Sequence, residues 1–280
     1  MKLNAFFAVL ISLLIAGCGL SAPDQKYPAA QEGEVYVNGG VNRYKLILPE
    51  GFTDIENFMN VYPLVIALHG KGSTGYYEVK QVIEGSPCVY FAPNNGSTSF
   101  GGSGGAWIRE ALHSILENPN YKIDKNRIYI IGFSMGGWGA TMMPQDLYTD
   151  YGYLTAAIVP VEGGWFSYNK SVEVLDHLSC WFHFGNGSGS AYDAGEYQDA
   201  KKAYPHTVET RYDETISYSY DWAPSTVYSW DTTQNILLQG RNEIVRQTVY
   251  DGMGHSASPV FMQGEVIEWL FAQNTRNRDN

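Results

Sequence analysis

The sequence holds little with which to bind a metal ion or a polyanion. It has three cysteines in 280 residues, and no two of them form a Cys-x-x-Cys pair. No His-Glu-x-x-His stretch occurs among its six histidines. Those spacings bring ligands to one metal ion, so a metal site has no support and no cofactor is expected. Basic residues are scarce: 18 Lys and Arg stand against 29 Asp and Glu, a formal net charge of −11. They form no cluster, which argues against nucleic acid and anionic membrane surfaces as partners and leaves the acidity to serve solubility. Internal repeats and low-complexity tracts are also missing, as is any apolar run of the ~20 residues needed to cross a bilayer. Aromatic residues are plentiful by contrast, with 21 tyrosines and 7 tryptophans.

The longest apolar run, residues 5–16, follows Lys2 and reads as the hydrophobic centre of an export signal. It ends at Leu14-Ile15-Ala16-Gly17-Cys18, which resembles the lipobox of bacterial lipoproteins, where the cysteine becomes the lipidated first residue after cleavage. The expectation is a signal over 1–17, lipidation at Cys18, a tether over 18–33 and a single domain over 34–280. Such a protein would sit in the bacterial cell envelope, at the outer membrane on its periplasmic or surface face. It would be a monomer that touches the membrane through its anchor alone. An ordinary secretory signal with a chance cysteine is the alternative. Cys88 and Cys180 each lie in an apolar, strand-like run and read as small buried hydrophobes on separate strands, although two thiols in an exported protein could pair.

Residues 34–37 and 42–49 alternate or run apolar around Asn38-Gly39-Gly40, a hairpin signature. Short, nearly continuous apolar runs follow at 63–68, 88–92, 127–131, 155–161 and 178–184, with a last strand at 245–250. Hydrophobicity on both faces is what buried parallel strands require. Helical periodicity lies between them, at Trp107, Ala111, Leu112, Ile115 and Leu116, and again at Val266, Trp269 and Leu270. The fold expected is α/β: a mostly parallel central sheet with an antiparallel N-terminal hairpin and helices on both faces.

In such sheets chemistry collects beyond the carboxyl ends of the strands. The strand at 127–131 is cut off by Gly132-Phe133-Ser134-Met135-Gly136, and a small-residue helix start follows at once. A serine on that sharp turn has an exposed hydroxyl and faces free N–H groups of the helix start. Ser134 is therefore the candidate nucleophile. His255, in a Gly-Met-Gly setting after the last strand, is the candidate base, because a serine hydroxyl needs one. His183 lies in a core strand and reads as a structural imidazole. The first acid after the 178–184 run is Asp193, which would orient His255 or cap a helix over 196–203; Glu196, Asp213 and Asp231 remain alternatives.

The order Ser, acid, His is that of α/β-hydrolases. Residues 121–137 together with the Tyr62-to-Gly70 stretch, Trp107, Tyr250-Asp-Gly-Met-Gly-His255 and Glu268-Trp269-Leu270 resemble a group of secreted bacterial esterases. That group is described as polyhydroxybutyrate-depolymerase-like or feruloyl-esterase-like, with some members labelled peptidases or phospholipases. The resemblance runs from about residue 44 to the C-terminus. It implies a serine ester hydrolase acting through an acyl-enzyme, with the N–H groups of Met135 and Lys71 as the oxyanion hole. Relatives place their acid close to where Asn186 and Gly187 stand, so here the chain departs from the pattern. His69 would shape the oxyanion loop. The glycine-rich stretch 101–105 would be a flexible wall of the site, with Trp107 beneath it or facing substrate. The run 211–239 is longer than relatives carry, and its tyrosines and tryptophans would either stack on a substrate or pack on one another. A feruloyl or acetyl ester on a polysaccharide fragment is the expected substrate. A peptidase, or a non-catalytic carbohydrate-binding lipoprotein on a hydrolase scaffold, are the alternatives. Asn95-Gly96-Ser97 matches a glycosylation acceptor, which means little in a bacterial lipoprotein.

Overall fold

The computed structural model describes residues 31–37, 40–54, 57, 59–73, 87–163, 171, 174, 177–190, 208–211, 215–220, 223–239, 244–261 and 263–278. The expected signal, Cys18, Asp193 and the helix expected over 196–203 lie outside them.

The chain opens with β1 (Gln31–Val37) and β2 (Gly40–Ile47), an antiparallel hairpin that turns between Val37 and Gly40. Because β1 starts at Gln31, the last three residues expected in the tether belong to the hairpin. Then come β3 (Tyr62–Leu68), β4 (Val89–Asn94), helix α1 (Ala106–Glu117), β5 (Ile123–Phe133), helix α2 (Met135–Tyr151), β6 (Ala157–Val161) and β7 (Ser179–Gly185). The last part holds β8 (Val208–Arg211), β9 (Thr215–Tyr220), β10 (Ala223–Gln239), β11 (Ile244–Tyr250), the single turn α3 (Ser258–Phe261) and α4 (Gly264–Ala272).

The strands lie in the order β1-β2-β4-β3-β5-β6-β7-β11-β10-β8, with β9 paired to β10 off that path. From β4 through β11 every neighbouring pair is parallel. The two ends are antiparallel: β2 against β4 on one side, β10 against β11 and β8 on the other. This is the α/β-hydrolase fold. The unusual run near 211–239 is thus an antiparallel extension of the sheet, in which β10 pairs first with β9 and further on with β11 and β8. The side chains of Tyr218, Tyr220, Tyr228 and Trp230 lie outside the described residues.

Both sheet faces are covered. Leu64, Ile66, Leu68, Ile128 and Ile130 pack with α1 and α2 through Ile108, Leu112, Ile115, Met143 and Leu147. Their chain neighbours Val65, Ala67, Tyr129 and Ile131 pack on the other face with Val260, Phe261, Val266, Trp269 and Leu270. That alternation explains why the parallel strands read as continuous apolar runs. Each fully buried large side chain contributes about 1.5–3 kcal/mol. Cys180 belongs to the first cluster and Cys88 to the second, both buried and neither in a disulfide; burial pushes the Cys88 thiol up to about 12.

His183 is fully buried on β7, its Nδ1 2.8 Å from the Tyr250 hydroxyl. Desolvation, helped by the charge of Arg246, pushes its pKa down from 6.5 to about 3. Between those values only the unfolded chain takes up the proton, so stability drains away as pH falls from 6.5 toward 3. Chemical denaturation between pH 6.5 and 3.8 should show a shallower loss for His183→Gln than for the parent; equal slopes would contradict this.

Candidate active site

Ser134 stands between β5 and α2 with φ 55° and ψ −115°, a conformation that non-glycine residues seldom adopt and that costs on the order of 1–3 kcal/mol. The surroundings impose it. The Ser134 N–H donates to the Val161 carbonyl at 2.8 Å, and its own carbonyl accepts from Trp138 N–H at 3.2 Å. A Cβ on Gly132 would lie 2.1 Å from the Gly136 carbonyl oxygen, and one on Gly136 would lie 1.9 Å from that of Leu68. The helix start therefore rests on the ends of its neighbouring strands, backbone on backbone. Met135, the first residue of α2, has an N–H without an intrahelical partner.

His255 faces an acid that the sequence reading did not single out. Its Nδ1 lies 3.3 Å from Oε2 of Glu162, whose side chain is fully buried while that of His255 is 38% exposed. Glu162 follows β6 directly and holds φ 49°, a second strained non-glycine residue. Its N–H donates to the His183 carbonyl at 2.9 Å, and Oε1 accepts a short hydrogen bond from Gly185 N–H. A buried carboxylate is tolerated only with such partners, and here one oxygen is taken by backbone while the other is turned to the imidazole. The Phe133 ring lies 4.8 Å from that imidazole, centroid to centroid.

Asp193, the acid expected to orient His255, lies outside the described residues; among those described, Glu162 is the carboxylate that meets Nδ1. The loop after β7 carries the histidine loop itself. Asn186 N–H donates to Tyr250 O, Gly187 N–H to Met253 O at 2.8 Å, and the Asn186 amide oxygen accepts from Gly252 N–H at 2.7 Å. A Cβ on Gly187 would lie 2.3 Å from the Gly252 carbonyl. Asn186 and Gly187 are thus used to fix the turn that presents His255. No other described histidine faces a carboxylate in this way: His113 bonds Tyr153, and His183 bonds Tyr250.

The expected oxyanion side lies beyond the end of β3. A Cβ on Gly70 would lie 3.6 Å from that of Ser134, so the Gly70–Lys71 peptide runs beside Ser134. His69 is buried and both its nitrogens are occupied, by the Gly70 carbonyl at 2.7 Å and the Asn95 N–H at 3.0 Å. Burial, partly offset by the Gly70 bond, lowers its pKa. Trp107 is buried too, and its indole N–H donates to the Asn95 side-chain oxygen at 2.9 Å. Both side chains are thus buried and joined through Asn95. The 101–105 stretch is not loose. It forms a 3-10 turn whose Gly102 N–H donates to Asp146 and whose Gly102 carbonyl accepts from Arg109. Arg109 in turn pairs with Asp150 at 2.6 Å.

Among the described residues no cluster of three metal-ligating side chains occurs, and no helix is long and apolar enough to cross a membrane.

No protein-family model matches the sequence, and neither does any curated protein. Solved structures do match. A thermostable esterase superposes with a TM-score of 0.59 at 21% identity, over 88% of this chain and 63% of its own length. This chain therefore spans less than two thirds of that protein. A serine-to-alanine mutant of the feruloyl esterase module from Clostridium thermocellum, complexed with sinapinate, gives 0.58 at 16% identity over 90% and 91%. A fluorophosphonate-binding serine hydrolase of Staphylococcus aureus gives 0.52 at 14% over 87% and 98%. The chain shares the α/β-hydrolase fold of these esterases.

The Nδ1 proton of His255 should give a strongly downfield imidazole NMR resonance because it lies against a buried carboxylate. The signal should vanish in Glu162→Gln and His255→Ala and persist in Asp193→Asn. Loss in Asp193→Asn with retention in Glu162→Gln would reverse the assignment.

Proposed function

We propose that the protein is a serine ester hydrolase that works through an acyl-enzyme. The observation that carries this reading is a strained serine between strand and helix, next in the chain to Phe133, whose ring meets a histidine held at Nδ1 by a buried carboxylate. In the first step Ser134 Oγ attacks the ester carbonyl while His255 Nε2 accepts its proton. Glu162 holds the imidazole by Nδ1 and stabilises the imidazolium so formed. The carbonyl oxygen, now negative, is bound by the N–H groups of Met135 and Lys71. His255 then protonates the departing alcohol. Water, deprotonated by the same nitrogen, attacks the acyl-enzyme; the acyl–Oγ bond breaks, Ser134 Oγ takes the proton back from His255, and the acid is freed.

The substrate favoured is a feruloyl or acetyl ester on a polysaccharide fragment. In support stand the fold shared with feruloyl esterases, the acidic surface and the absence of a basic cluster that would hold a phosphorylated metabolite. Export and lipidation at Cys18 would place the enzyme where such fragments arrive.

Ser134→Ala should lower kcat on a short-chain aryl ester by roughly 10⁴- to 10⁶-fold, and Glu162→Gln by roughly 10²- to 10⁴-fold. Asp193→Asn should stay near the parent. An active Ser134→Ala protein would end the hydrolase assignment. A panel of acetate, butyrate and ferulate esters with and without an attached sugar tests the substrate. No gain in kcat/KM from the sugar, for any acyl group, would remove the polysaccharide reading.

A further inference from the structure

Resting on the hydrolase reading above, we infer that His69 is a positioning residue: it aims the Lys71 N–H at the oxyanion by holding the carbonyl on the other side of the same peptide unit. Gly70 C=O and Lys71 N–H belong to one peptide, which is planar and, like every other peptide bond described here, not cis. In a planar trans peptide the oxygen and the hydrogen point in opposite directions. Whatever fixes the carbonyl therefore fixes the donor. The Gly70 oxygen has two partners, His69 Nδ1 at 2.7 Å and Ser73 N–H at 3.0 Å. Both pull it away from the direction in which the Lys71 N–H must point.

The histidine can do this in one protonation state only. Its Nε2 accepts from Asn95 N–H at 3.0 Å, so it carries no proton, and the single ring proton is on Nδ1, where it donates to Gly70. Asn95 is itself locked. Its side-chain amide donates to the carbonyls of Thr98 and Ser99 at 2.9 Å each, and its oxygen accepts from Trp107. Gly72 N–H closes the connection by donating to Gly96 O at 3.3 Å. The chain of bonds runs from α1 through Asn95 and His69 to the oxyanion peptide. The Asn95 N–H bond to Nε2 and the Nδ1 bond to Gly70 polarise one another through the ring and make the Lys71 N–H a better donor, while Trp107 holds the Asn95 side chain in place. Burial also lowers the His69 pKa, which favours the neutral ring that these two bonds require.

The test compares His69→Phe, His69→Asn and His69→Gln with the parent on an aryl acetate. It also measures inhibition by a trifluoromethyl ketone, whose hemiketal oxyanion occupies the same hole. Phe keeps the ring and its edge contact with Phe100, at 5.0 Å between centroids, but has no donor. Asn keeps an amide near the Nδ1 position, whereas Gln moves it one bond further out. A lost oxyanion donor costs ~10²- to 10³-fold, so a misaimed one in His69→Phe should cost about 10- to 100-fold in kcat. KM should stay within about three-fold, and ketone affinity should fall in step with kcat. Asn should recover much of this and Gln little. A folded His69→Phe protein with parental kcat would overturn the inference, as would a loss that spares ketone affinity. If thermal melting shows His69→Phe to be unfolded, the Asn-over-Gln order decides, and equality or reversal overturns it. Hydrolysis that does not depend on Ser134 would instead sink the hydrolase reading beneath it.

Discussion

The first turn of α2 lies against the ends of β3 and β6 with nothing but backbone between them. Gly136 touches the Leu68 carbonyl, Gly163 sits where any Cβ would meet the Ser134 carbonyl at 2.2 Å, and Ser134 N–H is bound to Val161. This contact places three things at once. It sets the strained backbone of Ser134. It puts the end of β3, and so the Gly70–Lys71 peptide, beside Ser134. It also brings the end of β6, and so Glu162, to the same edge. A close-packed interior does not absorb an added methyl there by small adjustments, because the atoms met are main chain.

Glu162 and His255 arrive by separate routes. β6 and β7 are neighbours in the sheet, and β7 is in turn the neighbour of β11, from which the His255 loop springs. An acid could reach the imidazole from the end of either β6 or β7, since a triad is defined by geometry and not by chain position. In this chain the loop after β7 is committed to hydrogen bonds with residues 250–253, and a long glutamate side chain spans from the strand beyond. The positive φ of Glu162 is the strain that this placement entails, and the Gly185 N–H and the β6–β7 backbone bonds stabilise it.

What could be read from the residues follows from this. The parallel strands were legible because burial on both faces leaves an unbroken apolar run, and Ser134 because strand, glycines and helix start are contiguous. His255 was legible from its place after the last strand. Glu162 was not, because nothing local marks it: it ends an apolar run, and its partners His183, Gly185 and His255 are distant in sequence. Asn95 was hidden for a similar reason, lying in a stretch that matched a glycosylation acceptor, while its role depends on contacts with His69 and Trp107. The glycine-rich stretch looked flexible because composition does not reveal Arg109 and Asp146, which pin it from two helices.

The most direct measurement is an experimental structure of the fluorophosphonate adduct. A phosphonyl group on Ser134 Oγ carries an oxygen where the tetrahedral intermediate would hold its charge. This oxygen should lie within hydrogen-bond distance of both the Met135 and Lys71 N–H groups, with His255 Nδ1 still against Glu162. An adduct whose oxygen misses those donors, or whose His255 turns to a different carboxylate, would contradict this arrangement, as would no adduct at Ser134.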